Sequence, residues 1–334
     1  MLQDFLWGAL WALAAALIGI GALLWYSLGM PGRSYKGSLP QATAEEIELA
    51  GRLKQHVTAI ASEPHNIEHY ANLEQAAQYI ERMLAAAGYR AVPQVYEVGG
   101  AEVRNLEATI EPLESGQHVR TVVVGAHYDS IADSPGANDN GSGVAAVLEL
   151  ARLLRDLRPA HTRLRLVLFV NEEPPYFHTG DMGSYRYAQA LAERNEPVAA
   201  MIAFDTIGCF SDAPGTQQYP PPFGAVLPNR GNFIAFVGML GSRPLVQEVI
   251  ASFRRHTSFP SIGGVAPGFI PGIDWSDHWS FAQAGFQAMM ITDTAIFRYP
   301  HYHRRTDTPD KVDYERLARI AKGIERVLRD MAKG

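Results

Sequence analysis

The sequence is poor in cysteine, with Cys209 standing alone among 334 residues. One cysteine excludes an intramolecular disulfide framework and any cysteine-rich zinc finger. An excess of basic charge is also missing: 29 Lys and Arg face 35 Asp and Glu, for a net charge of −6. That argues against a nucleic-acid partner, which concentrates basic residues on one face. No fixed-period repeat occurs, which sets aside solenoids and propellers. There is no Gly-x-Ser-x-Gly elbow and no P-loop, and Gly141-Ser142-Gly143 is too short for a dinucleotide fingerprint. Charged residues make up only 19% of the chain and hydrophobic ones 47%, enough apolar surface for a large core and too much for a disordered chain.

What is present begins with an uncharged run, Phe5 to Leu28, rich in Leu, Ala, Ile, Gly and Trp. As a helix rising about 1.5 Å per residue it matches a hydrocarbon core of roughly 30 Å. Trp7, Trp11, Trp25 and Tyr26 lie near its ends, where amphipathic rings favour an interface. The flank Met1-Leu2-Gln3-Asp4 lacks the basic start of a cleavable signal peptide. Residues 1–30 are therefore expected to be a single-pass membrane anchor with the bilayer as partner, residues 31–42 a linker, and residues 43–334 the functional domain. Arg33 and Lys36 bias the domain towards the cytoplasm.

The remainder alternates strand and helix patterns. Thr43-Ala44-Glu45-Glu46 is a capping box that opens a helix through Ile60, and residues 71–87 form a second helix stopped by Gly88. Val92–Val98 and Arg104–Ile110 read as strands. Thr121–Ala126, Leu164–Val170, Ala199–Phe204, Phe233–Val237 and Ala288–Ile291 read as further strands, the first two continuous apolar runs typical of buried strands. Helices are expected over Gly143–Leu157, Ser184–Glu193 and Pro244–Arg255, and Gly208–Asn232 as a proline-rich loop. Thr308-Pro309-Asp310 is expected to cap a last amphipathic helix. This order implies an α/β fold: a mainly parallel central sheet with helices on both faces.

Acids and imidazoles fall just after the apolar strands, where α/β sheets build their sites. They occur in His127-Tyr128-Asp129, Asn138-Asp139-Asn140, Asn171-Glu172-Glu173, Asp205 and His301-Tyr302-His303. A lone buried histidine is usually a packed core residue. His127 beside Asp129 and Asp139 reads instead as a metal ligand. Carboxylates crowded at one sheet edge repel one another unless cations compensate. Mixed imidazole and carboxylate donors suit zinc, and two zinc ions would balance the charge.

These five spaced motifs resemble the co-catalytic di-zinc aminopeptidases, the superfamily that also holds glutaminyl cyclases and the transferrin-receptor ectodomain. The likeness covers roughly residues 45–330 and implies a zinc-exopeptidase fold of the phosphorylase/hydrolase type. It implies that His127, Asp139, Glu173, Asp205 and His303 hold two zinc ions with Asp139 shared, leaving open which imidazole serves which ion. Asp129 would orient the His127 imidazole through its other nitrogen, Glu172 would be the general base, and Tyr302 would steady the tetrahedral intermediate. His278, in Ser276-Asp277-His278-Trp279, would stand behind the ligands. The activity implied is hydrolysis of the N-terminal residue of peptides with a free N-terminus. The rivals are a single-zinc glutaminyl cyclase and a non-catalytic receptor-like module. Analogy with secreted relatives places the catalytic domain outside the cytoplasm, against the charge bias.

Overall fold

The computed structural model describes residues 2–114, 116, 118–221 and 223–333, without the side chains of residues 2–5, 8, 9, 12, 16 and 17. Helix α1 spans Leu2–Leu28. Helices α2 (Ala44–Ile60) and α3 (Tyr70–Ala86) follow, then strands β1 (Val92–Val98), β2 (Ala101–Ile110) and β3 (Arg120–His127). Next come α4 (Gly143–Leu153), β4 (Thr162–Phe169), α5 (Gly183–Glu193), β5 (Val198–Phe204), β6 (Ile234–Met239) and α6 (Arg243–His256). The chain ends in β7 (Ser261–Ala266), the short α7 (His278–Gln283), β8 (Ala288–Thr292) and α8 (Tyr314–Met331).

All eight strands join one sheet in the order β1-β2-β4-β3-β5-β8-β6-β7. The central run β4-β3-β5-β8 is parallel, and so is the outer pair β6-β7. The β1-β2, β2-β4 and β8-β6 pairings are antiparallel, so the sheet is mixed around a parallel centre. Side chains alternate along β3, as a pleated strand dictates. Val122, Val124 and Ala126 join the larger core with α2, α3, α4, α6 and α8. Val123 faces the smaller core, with Tyr187 and Leu191 of α5 and Phe281 of α7. The four central strands β4, β3, β5 and β8 thus point their carboxyl ends at one edge, and β6 and β7 run the other way.

Local signals account for most boundaries. In α2, the Glu46 backbone N–H donates to Thr43 Oγ1 (3.2 Å) and the Thr43 N–H to Glu46 Oε2 (2.8 Å), the reciprocal bonds of a capping box. Gly88 ends the turn after α3 at φ +96°, a left-handed conformation that glycine adopts without strain. The last helix differs from expectation. Thr308-Pro309-Asp310 opens a separate short turn, Pro309–Lys311, and Val312 is extended. Asp313 caps α8 by accepting from the Arg316 N–H.

The membrane anchor is overturned. Among the described residues, no helix is long and apolar enough to cross a membrane. The carboxyl end of α1 is held by protein. Arg243 donates to the Tyr26 carbonyl (2.9 Å) and lies over the Tyr26 ring, Gln247 donates to the Gly29 carbonyl, and Leu28 meets Gly264 of β7. The single-pass localisation falls with it, and the bilayer as partner through residues 5–28 loses its support.

Candidate metal centre

The site forms where the central strands end. His127 is the last residue of β3. Glu172 and Glu173 follow β4, Asp205 follows β5, and His303 comes from the loop after β8. Asp139 lies in the irregular turn Ala137–Ser142, whose left-handed Gly136 (φ 67°) allows the backbone to approach Ser130; a Cβ there would lie 2.8 Å from the Ser130 Cβ. Strands β4, β3 and β5 are neighbours, so residues distant in sequence converge.

Two trios of donors share Asp139. His127, Asp139 and Asp205 form one; Asp139, Glu173 and His303 form the other; the donor atoms of each trio lie within 4.8 Å of one another. His127 Nε2 is 3.4 Å from Asp139 Oδ1 and 3.9 Å from Asp205 Oδ2. His303 Nε2 is 3.1 Å from Asp139 Oδ2 and 3.4 Å from Glu173 Oε2. Glu172 comes within 3.8 Å of His127 and forms a third trio with His127 and Glu173 that lacks Asp139; it lines the cleft with Trp275, Phe177 and Tyr302.

The donors fit a cation. A backbone carbonyl can only accept, so the contact of 3.0 Å between His127 Nδ1 and the Asp129 carbonyl places a proton on Nδ1. Nε2 then points at carboxylate oxygens; burial opposes charge on the ring, but the surrounding carboxylates outweigh it and raise the imidazole pKa well above its ordinary value, so this edge takes up a proton where a cation would bind. His127 Nε2, Asp139 Oδ2 and Glu173 Oε1 are buried and find no hydrogen-bond partner among the described residues. Such atoms are costly unless an ion meets them. The protonation tendencies agree. Burial, reinforced by neighbouring carboxylates, pushes Glu172 and Glu173 well above the usual carboxyl range and Asp205 up to about 7. Burial opposes the charge of Asp139 too, but the two imidazoles win and hold its carboxyl low.

Asp129 does something other than orient the imidazole by its side chain. Its Oδ1 lies 3.6 Å from His127 Nδ1, while the backbone carbonyl takes the shorter contact. The carboxylate accepts from the backbone N–H groups of Glu172 (3.0 Å) and Glu173 (3.1 Å). Tyr302 stacks on the His303 ring, centroids 3.8 Å apart, and burial with four nearby acids keeps its phenol protonated. His278 is buried with Nε2 2.8 Å from the Ile273 carbonyl, which pins the loop before α7; burial lowers its pKa to about 4.

Several supporting residues had no role assigned from the sequence. Asp307 accepts from the N–H groups of Asn138 (2.9 Å) and Asp139 (3.1 Å) and from the Tyr299 hydroxyl (2.6 Å). Asn140 ties the same turn to β5, donating to the Phe204 carbonyl and accepting from Thr206. Asp277 is fully buried near Asp205 and His127, and burial raises it to about 7. The one available signal was position, since Asp277 adjoins His278 and Asp307 follows His303.

A sequence model of peptidase family M28 matches residues 105–328. An uncharacterized Escherichia coli protein, YfbL, is 38% identical over 274 residues, covering 79% of this chain and 82% of its own length. The probable lipoprotein aminopeptidase LpqL of Mycobacterium tuberculosis is 30% identical over 64% of this chain and 43% of its own length. Among solved structures, an aminopeptidase from Aneurinibacillus sp. strain AM-1 shares the fold, with a TM-score of 0.63 at 16% identity over 85% of this chain and 95% of that one. Glutaminyl cyclases also share it. With five sequence-distant donors gathered at the strand ends and two thirds of its length matched, the chain belongs to peptidase family M28 and is a metal-dependent hydrolase of the aminopeptidase type.

Proposed function

We propose that the chain hydrolyses the first peptide bond of substrates with a free N-terminus, using two zinc ions that share Asp139. The observation that carries this reading is the double membership of Asp139, which belongs both to the trio of His127 and Asp205 and to that of Glu173 and His303. Each trio supplies one imidazole and two carboxylates and leaves positions for substrate and water. Zinc held there supplies Lewis acidity towards a carbonyl oxygen and a water molecule.

The chain's own groups do the rest. Glu172 lines the cleft and is absent from the two trios that share Asp139. Its carboxylate takes a proton from the attacking water and returns it to the leaving amine nitrogen. Tyr302, held protonated, donates to the substrate oxygen as it gains charge. The substrate's ammonium group lies against the acidic edge of the cleft. Asp129 fixes the backbone of Glu172 and Glu173, so base and ligand keep a set spacing.

The test counts metal and follows chemistry. The purified chain should carry about two zinc ions and cleave aminoacyl anilides, with no cyclisation of an N-terminal glutaminyl substrate. Glu172→Gln should keep its zinc and lose turnover by roughly 10²–10⁴-fold. One zinc per chain with cyclisation alone would overturn the reading in favour of a glutaminyl cyclase. Full activity in Glu172→Gln would remove that residue as the base.

A further inference from the structure

The metal cleft opens sideways into a second compartment. Asp205, Trp275 and Tyr302 line both. From there the compartment crosses the open face of the sheet, over Met290 of β8 and Val237 of β6, to Gly264 of β7. Phe223, Leu227 and Ile270 cover it from the loops, and Leu28 of α1 lines it beside Gly264. Asp205 supplies the one carboxylate among its described lining residues, and the rest of the lining is apolar side chains, glycine and a few hydroxyls. The sheet order places β5, β8, β6 and β7 side by side, so the compartment spans three strand spacings, about 14 Å. Its empty volume is ≈ 940 Å³, part of it open to solvent.

We infer that this compartment takes an apolar chain longer than any standard amino-acid side chain, carried by the residue at the metal centre, with Leu28 and Gly264 as its end wall. The inference rests on the proposed aminopeptidase reading and extends it to substrate class: amides of amino acids that bear long aliphatic side chains or similarly large apolar groups. The absence of a side chain at Gly264 matters here. An added Cβ would approach Leu28 Cδ2 to 3.3 Å, so larger residues at either position shorten the space. Helix α1 then contributes to selectivity through its last residue.

The experiment uses the zinc-loaded full chain and a series of 4-nitroanilides of alanine, norleucine and 2-aminodecanoic acid. Each buried methylene contributes about a fourfold gain. The kcat/KM for the 2-aminodecanoyl anilide should therefore exceed that for norleucyl by about tenfold or more. Gly264→Leu and Leu28→Trp should each move the optimum back to norleucine. A plateau or fall beyond norleucine, or an optimum that neither variant moves, overturns the inference while leaving the aminopeptidase reading intact. Failure to cleave any anilide overturns that reading instead. The compartment is then judged by calorimetry with the free amino acids. Binding of 2-aminodecanoic acid about tenfold tighter than norleucine supports the inference; equal affinities overturn it.

Discussion

At the scale of single residues, two buried carboxylates hold the ligand segments by the backbone. Asp129 grips the N–H groups of Glu172 and Glu173, and Asp307 grips those of Asn138 and Asp139. Both spend acceptor oxygens on donors that an amide cannot fully serve. In Asp307→Asn, an NH2 group would face a backbone N–H, donor against donor, and the Asp139 turn would loosen. Zinc affinity should fall about 10–100-fold, as removal of supporting contacts behind metal ligands commonly does. Competition against a chelator would measure it, with the melting temperature of the metal-free protein as control for folding. Affinity equal to that of the parent chain would mean the clamp is dispensable. None of this was legible in the sequence, because backbone donors leave no trace in residue identity. Asp129 stood out there as a partner for His127, yet its carbonyl rather than its carboxylate makes the shorter contact.

At the scale of elements, what was legible followed pattern strength. The apolar runs of β3 and β4 and the capping box of α2 gave boundaries within a residue or two of those observed. Strand β7 went unread because Gly263 and Gly264 interrupt its apolar residues, and glycine weakens a strand signal. Helix α4 stops at Leu153 where the apolar pattern ran on to Leu157. Glu196, just before β5, binds the amino ends of three strands together. It accepts from Thr121 of β3 (2.7 Å) and from Arg163 and Arg165 of β4 (2.9 and 3.1 Å). Burial resists its charge, but these donors outweigh that and lower its carboxyl to about 2. A depressed carboxyl contributes stability above the unfolded pKa and loses it as pH falls through the folded one. The contribution, on the order of 1–2 kcal/mol after allowance for solvent screening, should vanish between about pH 4.5 and 2. Denaturant titrations of Glu196→Gln should show a smaller loss over that window than the parent chain. Parallel acid limbs would deny Glu196 this role.

At the scale of the molecule, the site gathers more negative charge than the fold alone tolerates. The sequence exposed this much, because each acid or histidine closes an apolar strand or its loop, and strand ends must meet at one sheet edge. The shape of the neighbouring compartment was not exposed, since its walls come from α1, three strands and several loops that only folding brings together. The crowding of carboxylates at the strand ends has a direct consequence. Without metal, Glu172 and Glu173 are raised and Asp205 sits at about 7. The folded chain then keeps protons that the unfolded chain releases above about pH 4–5. It binds more protons than the unfolded state across that interval, so its stability falls as pH rises towards 7. Zinc removes the penalty, and protons compete with zinc less as pH rises. Chelation should therefore lower the melting temperature by on the order of 10 °C at pH 8 and by clearly less at pH 5.5. Calorimetry of the loaded and chelated chain at both pH values tests this. A gap that narrows with rising pH would mean that the carboxylates at the strand ends are stabilised by protein contacts rather than by metal.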